Sequence, residues 1–237
     1  MTLDERRARL WSAMGLGPEW IQRGTAAPAP VAAPTTTMTR SQRIAGMGWD
    51  ELESSVSSCT ACPLAASRQR TVFGVGHRAA RWMLVGEAPG AEEDARGEPF
   101  VGQAGRLLDN MLAAVGLARD GNPPASVYIA NVLKCRPPGN RNPAPEEVAC
   151  CEPFLQRQIA LVQPQLILVM GRFAAQSLLG TDASIASLRG RVHTIEAAGR
   201  RVAVVVTYHP AYLLRNLADK AKSWADLCLA RDVVERA

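Results

Sequence analysis

Four apolar segments, separated by stretches of helical periodicity, constrain the fold of this chain more than any other feature. They are residues 80–86, 126–133, 165–170 and 201–207, and none shows the strict alternation of a strand with one solvated face. Strands that are apolar throughout are typical of parallel sheets covered by helices on both faces. The order of segments predicts an α/β protein, a three-layer α/β/α sandwich around a central, mainly parallel, four-stranded sheet.

Helical patterns fill the intervals between these segments. Apolar residues recur at helical spacing in the first interval, and Pro145 followed by two glutamates is typical of a first helical turn. The pair Ala198-Gly199 predicts a hairpin turn within residues 188–206. The predicted helices are residues 103–116, 145–162, 171–179 and 217–234.

The first 40 residues differ in composition from the rest of the chain. Apolar residues recur at roughly helical spacing near the N-terminus, so residues 1–23 are predicted to form a short amphipathic helical segment. Residues 24–40 are rich in Ala, Pro and Thr and predict a flexible linker. One folded domain is expected over residues 41–237. The tail is either dispensable or a docking motif, in which residues 3–22 bind a partner protein.

Composition and charge exclude several classes of protein. The chain has 47% hydrophobic and 21% charged residues, as a globular protein does. No apolar run approaches the ~20 residues of a membrane helix, and the charged N-terminus has no apolar signal region. We therefore expect a cytoplasmic monomer without membrane contact. The net charge of +5 is compatible with nucleic-acid binding but does not establish it.

Unusual polar residues follow the predicted strands where those strands end. Residues 86–90 follow the first strand, Asn131 and residues 134–141 the second, and His209 the fourth. Each has an ordinary structural explanation as a turn, a core amide or a capped loop. Because ligands bind beyond the carboxyl ends of strands in open α/β sheets, their common position predicts a binding site.

The cysteine spacing predicts a metal site. Cys59 and Cys62 form a C-x2-C pair, and Cys135 and Cys151 follow in a loop and on the next predicted helix. Cytoplasmic thiols are not expected to form disulfides, and two such pairs suggest a four-thiolate site for zinc or an iron–sulfur cluster. Cys150 competes with Cys151, but helix neighbours point about 100° apart and cannot both face one centre.

Three ordered motifs carry a family resemblance. Residues 86–105, with Gly-Glu-Ala-Pro-Gly and Pro-Phe-Val-Gly, resemble the first motif of family 4 uracil-DNA glycosylases, the iron–sulfur enzymes of base-excision repair. Residues 131–141 and 208–215 resemble the second and third motifs, and the likeness covers roughly residues 48–234.

The resemblance implies a uracil-DNA glycosylase-like catalytic domain over residues 41–237 that carries a [4Fe–4S] cluster. The family pattern places its fourth cysteine just before a residue and then Pro-Phe-Leu, which here selects the cysteine that precedes Glu152. Zinc is the alternative occupant. The implied ligands are Cys59, Cys62, Cys135 and Cys151.

The implied activity is that of a monofunctional uracil-DNA glycosylase. Such an enzyme flips uracil out of single- or double-stranded DNA and hydrolyses its N-glycosidic bond, which leaves an abasic site. Phe100 would stack on the base, Asn131 would pair with its O4 and N3–H, and His209 would stabilise charge on O2. The expected catalytic residues are His209, Asn140, Glu87 and Glu93, with Asn140 favoured for positioning water and Glu87 for support. Substrate contacts are also expected from Ala88 and Gly90, and DNA contacts from Leu213, Leu214, Arg215, Arg136 and Arg141.

Two alternatives stay open at this point. One is a DNA-lesion-binding iron–sulfur protein with little turnover, attached to a polymerase through residues 3–22. The other is the branch of the superfamily that becomes covalently joined to uracil-containing DNA. That branch carries a basic, histidine-containing insert and Gln in the first motif, whereas this chain has Ala88 and no insert between Cys135 and Pro143.

Overall fold

The computed structural model describes residues 3–15 and 38–236, and the chain falls into two units, Met1–Met38 and Thr39–Ala237. In the first unit, helix α1 spans Leu3–Ala13, and Leu10 and Met14 are exposed. The predicted N-terminal helix is therefore present over the first part of its range. Its remainder and most of the predicted linker lie outside the described residues.

The second unit contains nearly all of the regular structure that the model describes. Its helices are α2 Arg40–Gly46, α3 Trp49–Ser57, α4 Ala91–Arg96, α5 Gln103–Ala114, α6 Pro145–Val162, α7 Arg172–Leu179, α8 Ile185–Leu188, α9 Pro210–Leu213 and α10 Lys220–Glu235. Its strands are β1 Val75–Gly76, β2 Trp82–Gly86, β3 Val127–Asn131, β4 Leu166–Met170, β5 Val192–Ala197 and β6 Arg200–Thr207. No helix among the described residues is long and apolar enough to cross a membrane.

The strands form one mixed sheet in the order β1-β3-β2-β4-β6-β5. The four central strands run parallel to one another, which confirms the predicted topology, but the sheet has six strands rather than four. The two extra strands lie at the edges and run antiparallel to their neighbours. β1 has only two residues, and β5 alternates between exposed and partly buried side chains, so neither forms an apolar run.

The hairpin that joins β5 to β6 turns at Ala198 and Gly199, as predicted. Both residues have positive φ, 50° and 73°, which is the left-handed conformation that a tight hairpin turn requires. β5 pairs with the edge of β6 and becomes the outermost strand on this side of the sheet.

Helices cover both faces of the sheet, in the three layers expected. Neighbouring residues of β2 point to opposite faces, so Met83 packs with Leu155 and Ile159 of α6, whereas Leu84 packs with Leu108 of α5. α7 joins the first layer and α10 the second. The predicted helix at 145–162 has the observed bounds of α6, while the one at 217–234 begins as a 3₁₀ turn before α10.

A third cluster of buried residues lies outside these layers. Leu52 and Val56 of α3 pack with Phe154 of α6 and with Leu133, which follows β3. Cys135 and Cys151 belong to the same cluster. Helix α3 is therefore anchored next to the loop that leaves β3.

The register of the sheet brings the polar motifs together. Gly86 at the end of β2 lies opposite Asn131 at the end of β3, and Met170 of β4 lies opposite Thr207 of β6. Since these strands are parallel, the loops that follow them leave the sheet at the same edge.

Candidate active site

A cavity of about 440 Å³ opens at this edge of the sheet. Its size is in the range typical of small-molecule sites, and all three sequence motifs contribute to its walls. The predicted site residues that line it are Glu87, Ala88, Gly90, Glu93, Phe100, Asn131, Asn140, Arg141, His209 and Arg215. Ten of the thirteen residues predicted to touch substrate or DNA therefore border a single cavity; Arg136, Leu213 and Leu214 do not line it.

Asn131 presents an amide to the cavity from the last position of β3. The residue is 2% exposed, and its side-chain Oδ1 has no hydrogen-bond partner among the described residues. A Cβ atom on Gly86 would lie 2.4 Å from this oxygen, so only glycine leaves room for it. A buried amide oxygen without a partner costs free energy, and such an atom in a cavity wall indicates a ligand that donates a hydrogen bond to it.

Phe100 forms an aromatic wall of the cavity. Its backbone has a φ of 55°, which is rare for a bulky side chain. Its ring stacks against His209, with 5.4 Å between ring centroids and 27° between planes. A Cβ atom on Gly86 would lie 2.6 Å from Cζ of the ring, and one on Gly105 would lie 1.8 Å from the Phe100 carbonyl oxygen. Two glycines therefore allow this residue to occupy its place.

His209 follows β6 and is held as a neutral donor. Its Nδ1 accepts the backbone N–H of Ala211 at 3.1 Å, so the ring proton lies on Nε2. Burial lowers the pKa of His209 to about 4; nearby Glu93 opposes this shift and Arg215 adds to it. At neutral pH the ring therefore carries no charge but has one N–H to donate.

The two predicted glutamates have different environments. Burial raises the pKa of Glu87, which nearby Arg172 partly offsets, and its carboxylate has no hydrogen-bond partner among the described residues. Glu93 instead accepts the backbone N–H groups of Gly90 and Val101, both at 3.1 Å. Glu93 therefore joins the two loops of the first motif, whereas Glu87 keeps its oxygens available to a ligand.

Asn140 lies at the exposed mouth of the cavity with a φ of 55°. Its Oδ1 accepts a hydrogen bond from Arg136 Nε at 2.8 Å, which leaves the amide nitrogen available. Arg141 donates to the carboxylate of Glu147 at 2.9 Å and also lines the cavity. Both predicted DNA-contacting arginines of this loop therefore have partners within the protein.

The loop after His209 corrects one expectation. Leu213 was expected to contact DNA with Leu214, but it is 1% exposed and lies in the interior. Pro210 begins the short helix α9, whose single turn points Leu213 inward. Leu214, 38% exposed, remains available as an apolar contact, and Arg215 is exposed at the cavity rim.

The four predicted cysteine ligands surround a common small cavity next to α6. Three of the sulfurs accept hydrogen bonds: Cys59 from Arg40 at 3.6 Å, Cys135 from Arg68 at 3.2 Å, and Cys151 from a backbone N–H at 3.3 Å. Such donors are typical around thiolates that bind a metal group.

Cys150 also borders the small cavity, but its thiol donates to the carbonyl of Ala61 at 3.4 Å. The described residues contain no group of three or more side chains arranged to hold a single metal ion.

Lys134 is a buried residue close to Asn131, and the sequence motifs predict no individual role for it. Its ammonium donates to the backbone carbonyl of Asn131 at 2.8 Å and to Gln158 at 2.6 Å. Gln158 in turn donates to the hydroxyl of Tyr128 at 3.0 Å. The sequence contains an indication of this role, because a lysine that follows an apolar strand is a candidate for burial and a buried ammonium requires hydrogen-bond partners.

Comparison with known proteins agrees with this geometry. Residues 73–228 match the model of the uracil DNA glycosylase superfamily. The chain belongs to this superfamily.

The curated relatives narrow the likeness to one branch. The type-4 uracil-DNA glycosylase of Archaeoglobus fulgidus is 45% identical over 169 residues, which are 70% of this chain and 82% of that protein. That of Thermotoga maritima is 44% identical, over 70% of this chain and 83% of its own length. The type-4 uracil-DNA glycosylase of Pyrobaculum aerophilum is 39% identical, over 77% of this chain and 93% of its own length. The expected family 4 relationship is confirmed.

Proposed function

We propose that this protein is a uracil-DNA glycosylase that hydrolyses the bond between uracil and deoxyribose and leaves an abasic site. One observation carries the proposal: Oδ1 of Asn131, which has no hydrogen-bond partner within the described part of the chain, faces a cavity that is also lined by the ring of Phe100 and the neutral imidazole of His209. A planar base with an N–H edge and an adjacent carbonyl fits this set of groups. The names of the relatives support the same activity.

Asn131 selects the base. Its Oδ1 accepts the N3–H of uracil, and its amide N–H donates to O4. Cytosine presents an acceptor at N3 and an amino group at position 4, so both contacts would be reversed. The flipped base stacks on Phe100, which holds its plane against the amide.

His209 stabilises the departing base. Cleavage of the C1′–N1 bond transfers the bonding electrons to uracil, and negative charge develops on O2. The Nε2–H of His209 donates to that oxygen, and the interaction strengthens as the charge grows. A neutral ring is sufficient for this role, which agrees with the depressed pKa.

Water attacks C1′ from the side opposite to the departing base. We place this water between Asn140, whose amide nitrogen donates to it, and Glu87, whose carboxylate accepts one of its hydrogens. Glu93 is occupied by backbone amides and orders the loop, so its role is indirect. Ala88 and Gly90 border the base, and Leu214 and Arg215 meet the DNA beside the flipped nucleotide.

Cys59, Cys62, Cys135 and Cys151 would hold a [4Fe–4S] cluster. The hydrogen bonds to three of these sulfurs, and the different orientation of Cys150, support this assignment over a site that includes Cys150. When bound, the cluster would link the segment after α3, which carries Cys59 and Cys62, to the loop that carries Asn140. It takes no part in bond cleavage.

The remaining proposals concern the setting of the enzyme. We propose that it acts as a cytoplasmic monomer and that residues 3–22 form a docking segment for a partner protein. The exposed apolar side chains of Leu10 in α1 and of Met14, just after it, support such a segment.

The test is single-turnover release of uracil from an oligonucleotide, read as strand cleavage after treatment with alkali. Wild-type protein should produce alkali-labile sites at uracil and not at cytosine. His209→Ala should lower the rate by about 10²–10³ while DNA binding stays nearly unchanged. His77 provides a matched control, because its Nδ1 also accepts an alanine N–H two residues later at 3.1 Å, but it is exposed and lies outside the cavity.

The outcomes separate the alternatives. Retention of DNA without cleavage would support a lesion-binding protein with little turnover. A stable adduct would indicate the covalent branch of the superfamily. If His209→Ala releases uracil as fast as wild type, the leaving-group role of His209 is wrong.

A further inference from the structure

Arg119 holds the backbone on which Phe100 depends, although it lies outside the cavity. It belongs to the connection between α5 and β3, and its side chain is only 15% exposed. Its guanidinium donates to the carbonyl of Pro99 at 2.6 Å and to that of Phe100 at 2.8 Å. These two carbonyls belong to the peptide units on either side of the Phe100 α-carbon, so together they constrain its backbone.

The guanidinium is itself fixed by acidic partners. Two of its nitrogens donate to one carboxylate oxygen of Asp109 on α5, each at 3.1 Å, and a third contact reaches Glu98 at 3.3 Å. Arg119 therefore uses its planar fork to join α5 to two successive carbonyls of the loop. A lysine ammonium could not span the same set of acceptors.

The conformation of Phe100 explains why such a hold is needed. A bulky residue at a φ of 55° is strained, and strained backbone persists only where the surroundings impose it. The Phe100 carbonyl already lies against Gly105 of α5, where a Cβ atom would be 1.8 Å away. Arg119 supplies the hydrogen bond that keeps this carbonyl in place.

We infer that Arg119 is a positioning residue for base recognition: it holds the backbone of Phe100 in the left-handed conformation, so that the ring faces the flipped base. This inference rests on the proposed function. Loss of the guanidinium lets the loop relax, and the ring leaves its stacked position beside His209. The effect of Arg119 on catalysis should therefore pass entirely through Phe100.

A double-mutant cycle on uracil release tests this inference. Arg119→Ala should lower the single-turnover rate by about tenfold, the loss expected when one aromatic contact is removed. Phe100→Ala should lower it at least as much, and the double variant should match Phe100→Ala alone. Arg96→Ala is the control, because Arg96 on α4 is exposed and its ion pair with Glu92 is long, at 3.7 Å.

Thermal unfolding of each variant separates positioning from general damage. If the fold-losses of Arg119→Ala and Phe100→Ala multiply in the double variant, Arg119 acts through general stability and the inference is overturned. An Arg119→Ala enzyme with the wild-type rate would also overturn it. Absence of uracil release by the wild type would instead overturn the proposed function, so the two failures are distinguishable.

Discussion

Replacement of Gly86 by alanine should disable the site while leaving the fold nearly intact. The new Cβ would lie 2.4 Å from Asn131 Oδ1 and 2.6 Å from Phe100 Cζ, whereas ordinary contacts begin near 3.4 Å. Each functional group must then move by about 1 Å, and a misplacement of that size costs about 100-fold in rate. Overpacking of this kind destabilises a protein by about 1–3 kcal/mol, so the melting temperature should fall by about 2–12 °C.

The assay compares single-turnover release of uracil with thermal unfolding for Gly86→Ala and Gly46→Ala. Gly46 ends α2, and a Cβ atom there would meet nothing within 4 Å, so this control should change neither measurement. The rate should be measured well below both melting temperatures. If Gly86→Ala stays folded and retains a third or more of the wild-type rate, the contact between these groups does not set the geometry of catalysis.

Three further predictions concern pH, the cluster and the tail. Because the pKa of His209 is lowered to about 4, its neutral form persists as the pH falls from 8 to 5. A loss of rate on acidification should therefore come from protonation of Glu87, whose pKa is raised by burial. The Glu87→Gln variant should therefore release uracil more slowly than wild type at pH 8, but its rate should not fall further on acidification. If the variant loses rate at acidic pH as wild type does, another group causes that loss. Purified protein with a bound iron–sulfur cluster should be brown; the Cys151→Ser variant should lose this colour and the iron, whereas the Cys150→Ser variant should keep both. The reverse result, or one zinc per chain, would refute the proposed ligand set. Removal of residues 1–38 should leave uracil release from short oligonucleotides unchanged, and a collapse of activity in a folded protein would place that segment in the DNA site.

Much of the fold was accessible from the sequence because apolar composition and burial are directly linked in a parallel sheet. β2, β3 and β4 are buried along their full length, and β6 is mostly buried over residues 202–207, so each produced an apolar run. β5 has one solvated face and β1 has two residues, so neither produced such a run. An edge strand forms because it pairs with a neighbouring strand, and the local sequence pattern carries no information about that pairing.

The sequence predicted most of the residues that line the site but not how their side chains are oriented. Strand order placed Asn131 and His209 at one edge, and the family motifs added Phe100. The inward direction of Leu213 depends on the single turn of α9, and the engagement of Glu93 depends on the approach of two loops. These features arise from tertiary contacts, which spacing along the chain does not encode.

The geometry of the cavity indicates that part of the folding free energy is spent on function. Asn131 keeps a buried oxygen without a partner, which costs about 1–3 kcal/mol. Burial lowers the pKa of His209 and so keeps the ring neutral even at mildly acidic pH, and Phe100 keeps a strained backbone. A base with the hydrogen-bonding edge of uracil donates to the amide oxygen of Asn131 and accepts the N–H of His209. The groups that lower the stability of the free protein are therefore those that recognise the substrate. The apolar core on both faces of the sheet, together with the Glu93 and Arg119 contacts, supplies the rigidity that keeps these groups from relaxing before the base arrives.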